Sequence, residues 1–115
     1  MENEKVVKTA QIIVNIDLNE ENLPINIHWN ASDAPTDGSK ICKAVSLAFF
    51  DRIEKDTLRM DLWTKDMQID EMDKFFFQML YTMADTYNNS TKNHELANEM
   101  KNFALHFGKT TKVID

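Results

Sequence analysis

At 115 residues, 43% of them hydrophobic and 28% charged, the chain has the make-up of one soluble globular domain whose core needs neither disulfide nor metal. A net charge of −6 disfavours nucleic acid and anionic lipid as main partners, because both select basic surfaces. The single cysteine, Cys42, excludes an internal disulfide and a multi-cysteine zinc site.

The first residues, MENEKVVKTA, are charged and contain no apolar h-region, so no signal peptide is expected. No apolar run approaches the length of a membrane-spanning helix. The expected setting is the cytoplasm. One domain over residues 1–115 is expected, with flexible ends at 1–8 and 109–115.

Residues 10–18 alternate, Ile12, Val14, Ile16 and Leu18 on one side and Gln11, Asn15 and Asp17 on the other. Period-2 alternation with β-branched residues predicts a half-buried strand. NEEN at 19–22 is a turn cluster, and residues 23–30 alternate again, with Asn26, His28 and Asn30 opposite the apolar set. A hairpin follows. Residues 31–40 form the longest loop. Residues 41–50 fit strand and short helix alike; the preferred reading is a turn or single helical turn over 39–43, then a strand over 44–50. A polar link leads to 57–64, where Leu58, Met60 and Leu62, which read as core, alternate with Arg59, Asp61 and Trp63. That gives a second hairpin.

A helix follows, capped by Asp66 or Asp70. Ile69, Met72, Phe76, Met79, Leu80, Met83 and Tyr87 fall on one stripe and predict its core face. NNSTK at 88–92 reads as its break. A second helix starts near Asn93, with Leu96, Met100, Phe103 and Phe107 on its stripe and Gly108 as its C′ residue. The predicted fold is α+β: a four-stranded, mostly antiparallel sheet of two hairpins with two C-terminal helices on one face.

The run LRMDLWTKDMQIDEMDKFFFQMLYTMAD, with the His28-Trp29 strand end and the Phe103–Phe107 spacing, resembles the gliding-motility protein C (GldC) family of Bacteroidetes, from about residue 12 to 107. Gln68 stands where that family is expected to carry Pro, and Phe50 where it is expected to carry Trp. The resemblance implies an accessory, cytoplasmic, non-enzymatic contribution to gliding motility, with no catalytic residue to carry over.

The residues themselves suggest little chemistry. His28, His94 and His106 lack metal-ligand spacing, and the acidic run Asp61, Asp66, Asp70, Glu71 and Asp73 reads as helix-start solvation. No metal or cofactor is expected. Cys42 lacks a nucleophile motif. Helically spaced methionines read as core filler. What folding alone does not explain is Arg59, Asp61, Trp63, Lys65 and Asp66 which, with His28 on the open sheet face, are the candidate surface for a protein partner. Phe77, Tyr81 and Leu105 are the candidate self-association surface; for Phe77 and Tyr81 the favoured alternative is packing between the helices against Ala97 and Ala104. The alternative reading is a ligand-binding or enzymatic domain, its pocket near the 31–40 loop and residues 65–67.

Overall fold

Two antiparallel hairpins are built from the alternating segments, in a computed structural model that describes residues 4–33 and 39–115. The chain forms two compact units, Met1–Met67 and Gln68–Asp115. In the first, β1 (Ile12–Leu18) pairs with β2 (Pro24–Ala31), placing Val14 opposite Trp29 and Ile16 opposite Ile27. Asn19 makes the turn: its Oδ1 accepts from the N–H groups of Glu21 (2.9 Å) and Leu23 (3.0 Å). Asn22 takes the left-handed φ of 64° that asparagine tolerates better than most residues.

The ambiguous stretch is strand on either side of a bend at Lys43. β3 (Lys40–Cys42) pairs antiparallel with β2, and β4 (Ala44–Phe50) pairs with β5 (Thr57–Trp63). The expected helical turn over 39–43 is therefore absent, because β2 offers a free edge on which these backbone groups find ladder partners. The strands make a three-stranded sheet and a two-stranded sheet in place of one four-stranded sheet. Thr64 joins them: it is buried, its N–H donates to the Lys43 carbonyl (2.8 Å), and the next amide, Lys65, donates to the Pro24 carbonyl (3.1 Å).

Among the described residues, Ile27 is the large side chain buried completely. Leu58 and Met60, expected in the core with Leu62, stay 64% and 45% exposed. Alternation assigns a residue to a side of a strand; it does not say how far another layer extends over that side.

In the second unit α1 (Ile69–Thr91) and α2 (His94–Thr110) form a helical hairpin. Neither Asp66 nor Asp70 caps α1. Gln68 holds the cap position, and its N–H donates to Glu71 Oε1 at 2.8 Å, the reaching-back half of a capping box. In place of the expected break at 88–92, two residues, Lys92 and Asn93, separate the helices. The hydroxyls of Ser90 and Thr91 bond back to the Tyr87 carbonyl, and α1 continues until Lys92 takes φ 64°. Asn93 then caps α2 by accepting from the Leu96 N–H (3.1 Å).

Small residues make the contact between the helices. Ala84, Ala97, Ala104 and Gly108 are buried. Gly108 is not a C′ residue; α2 continues to Thr110, and a Cβ added at Gly108 would lie 2.7 Å from a Phe77 ring carbon. The stripes expected to face the core are on another side of each helix, where Phe76, Leu96 and Phe103 remain exposed. Short side chains let two helix axes approach, so the alanines make this contact. Beyond α2 the chain turns back, the Ile114 N–H donating to the Gly108 carbonyl (3.2 Å).

Candidate functional site

Four of the expected partner-binding residues come together on and beside β5. The β4–β5 register sets Ser46 opposite Asp61, Ala48 opposite Arg59 and Ala44 opposite Trp63, so one face of this hairpin carries all three candidates. Arg59 Nη2 donates to Asp61 Oδ1 (2.8 Å) and to Ser46 Oγ (2.7 Å), while the Ser46 hydroxyl donates to Asp61 Oδ1 (2.5 Å). Each member satisfies the other two. The network is open to solvent, so its value is to hold orientation more than to add stability.

Its electrostatics follow from the geometry. The hydrogen bonds from Arg59 and then Ser46 hold the Asp61 carboxyl below the usual aspartate value, and the same carboxylate raises the Arg59 guanidinium. A group depressed in the folded state favours that state above its ordinary titration range and loses the effect as pH falls through its own lower pKa. In a carbon-detected NMR titration Asp61 is expected to titrate below an ordinary aspartate. Arg59→Ala should move its midpoint upward; an unchanged midpoint would mean that the pair does not persist in solution.

Trp63, next on this face, is 53% exposed. It lines an open cavity of about 420 Å³ with Leu23, Pro24, Asp61, Leu62 and Lys65. The walls are apolar, and a carboxylate and an ammonium are the charged groups beside them. Asp66 lies next to this group through Thr64, whose hydroxyl donates to Asp66 Oδ1 (2.6 Å) and lowers its pKa. His28 does not join. Its Nε2 lies 3.6 Å from Asp17 Oδ2, an oxygen that also accepts from Asn26 (3.0 Å), so His28 belongs to a separate polar ladder on β1–β2.

Sequence reading missed Ser46, Leu23, Pro24 and Thr64. Ser46 could have been found by writing out the hairpin register from the link at 51–56. Leu23 and Pro24 are brought to the end of β5 by the Lys65–Pro24 hydrogen bond, which no local pattern announces. Residues 34–38 of the loop named for the alternative pocket lie outside the described residues.

Phe77 and Tyr81, candidates for self-association, stand with ring centroids 5.9 Å apart. Phe77 lies against Gly108, and the Lys101 ammonium sits 4.7 Å over the Tyr81 ring while bonding Asp85 at 2.8 Å. Both rings thus serve the helix pair itself. Leu105 is half-buried.

A smaller cavity of about 220 Å³ is lined by apolar residues of β1, β2 and β4 with Cys42 among them. Burial pushes the Cys42 thiol up, away from the thiolate form a nucleophile needs. Among the described residues no group of three His, Cys, Asp or Glu is arranged to hold a metal ion, and no helix is long and apolar enough to cross a membrane.

The family of gliding motility-associated proteins described as GldC-like matches residues 24–113. No curated protein and no solved structure shows a significant match to the chain.

Proposed function

The chain belongs to the GldC-like family of gliding motility-associated proteins, and from that premise we propose a non-enzymatic accessory role, exercised in the cytoplasm of a gliding member of the Bacteroidetes by binding a protein partner. The observation that carries this reading is the Trp63 cavity with the Arg59–Asp61–Ser46 network beside it. A half-exposed tryptophan on the same strand face as an oriented arginine combines the residue types most enriched at the energetic centres of protein interfaces. Lys65 extends the charged rim, and Asp66 continues it around the corner held by Thr64. The apolar walls would take one large side chain of the partner, and the charged rim would set its orientation.

Trp63→Ala tests the site. The variant is expected to keep the far-UV circular dichroism of the parent, because Trp63 is half exposed and its neighbours Leu62 and Thr64 carry the local packing. It should fail to restore spreading to gliding cells that lack the native gene. Full restoration would remove Trp63 from the site.

The cavity also keeps a second reading open, since about 420 Å³ lies within the range of small-molecule pockets. A metabolite screen by thermal shift separates the two. Reproducible stabilisation by one compound, lost in Trp63→Ala, would favour a ligand, and silence across the screen would favour the protein partner.

A further inference from the structure

Within the helical unit, an apolar side of the helix pair lies outside the contact between the two helices. Phe77 against Gly108, and Lys101 against Tyr81 and Asp85, show that α1 and α2 run antiparallel through their alanine contact. At about 100° per residue, Ile69, Phe76 and Met83 on α1 and Leu96 and Phe103 on α2 lie roughly a quarter-turn from that contact, offset in the same sense. In an antiparallel pair, equal offsets of the same sense bring both stripes to one side. The result is a single apolar face two helices wide.

This face is large for a solvated surface. Its five outermost side chains are between 41% and 83% exposed. At roughly 200 Å² for a side chain of this size, they offer about 550 Å², against roughly 800 Å² per partner in a standard stable interface. Leu80, Met100 and Phe107, half-buried on the same stripes, extend it toward that figure. No lysine or arginine falls within the arc, and methionine and phenylalanine dominate it, the composition of an interface centre. Among the described residues the buried hydrophobic set is one isoleucine and three alanines, so burial here remains to be completed.

We infer that a second copy of this chain docks on this face, helix pair against helix pair, closing a four-helix bundle about a twofold axis. A twofold contact asks one surface to be complementary to itself, and an apolar face without a central cation meets that condition without a second, matching patch. The bundle would use the side of the helices that Phe77 and Tyr81 do not occupy.

Light scattering on the eluting full-length chain tests this at two micromolar concentrations. The expected mass is twice 13.4 kDa. Phe103→Glu is expected to return it to the single-chain mass with helical circular dichroism retained, and Met83→Glu serves the same purpose should Phe103→Glu fold poorly. Leu58→Glu, on the β4–β5 hairpin, is expected to leave the doubled mass unchanged. A single-chain mass for the native protein at both concentrations would overturn the inference, including the case in which that monomer sediments with lipid vesicles. So would a doubled mass that survives both helix variants, or one that Leu58→Glu abolishes.

Discussion

Ile27→Ala is expected to cost about 3 kcal/mol, within the range for removing a fully buried aliphatic side chain and leaving its cavity behind. Ile27 has no exposed surface, and it faces Ile16 on one side and Cys42 on the other, so it spans all three strands of the first sheet. Neither neighbouring strand can collapse into the gap without losing the ladder that holds it. Both tryptophans, Trp29 and Trp63, lie in the same unit as Ile27. Tryptophan fluorescence in a urea titration therefore reports this loss directly, as a fall in the midpoint with little change in slope. A midpoint within experimental error of the parent would mean that Ile27 is not the centre of this unit.

Gly108→Val is the second large effect, expected near 3 kcal/mol in the helical unit. An ordinary helical glycine gains about 1 kcal/mol on replacement by alanine, from propensity alone. Here the added Cβ would come within 2.7 and 2.8 Å of two Phe77 ring carbons and 3.0 Å of Ile114. The ring is pinned between Gly108 and Tyr81, so the helices must separate, and overpacking of this kind outweighs the propensity gain. Both tyrosines lie in this unit, and their near-ultraviolet signal follows it. Adding Phe77→Leu should recover part of the loss, because the two positions share one volume. A Gly108→Val variant as stable as the parent would show that the helices do not approach as closely as drawn.

The strands were legible because alternation is a direct consequence of the pleat. Residues 10–18, 23–30, 44–50 and 57–64 were expected as strands and appear as Ile12–Leu18, Pro24–Ala31, Ala44–Phe50 and Thr57–Trp63. What alternation could not supply was the grouping of strands. Lys40–Cys42 has no room for a pattern, and its pairing with β2 follows from a free edge elsewhere in the chain. The helices were legible in extent and in part of their contact, and the burial of their stripes was overestimated. Periodicity finds the longest apolar stripe, on which Phe76, Leu96 and Phe103 stay exposed, while the contact between helices uses Ala97, Ala104 and Gly108 with Phe77, as the alternative for Phe77 and Tyr81 expects. The C-terminal glycine was misassigned for a related reason: its position near the end of a pattern suggested a left-handed turn, and its function is to admit a ring.

The candidate site divides along the same line. Arg59, Asp61 and Trp63 could be placed on one face from their spacing alone, and the β4–β5 register does so. Polarity alone places His28 on one open face with them; the break between the sheets assigns it to Asp17 and Asn26 instead. The cavity needed Leu23 and Pro24, brought in by a hydrogen bond across more than forty positions of sequence, between Lys65 and Pro24.

Site-specific photo-crosslinking in gliding cells tests the partner surface most directly. A photoreactive phenylalanine analogue would replace Trp63 in one version of the chain and Glu54, in the link between β4 and β5, in another. The account predicts one adduct of defined mass at position 63, weakened when Arg59→Ala is added, and none at position 54. Equal labelling at both positions, or none at 63 under conditions where the cells glide, would contradict it.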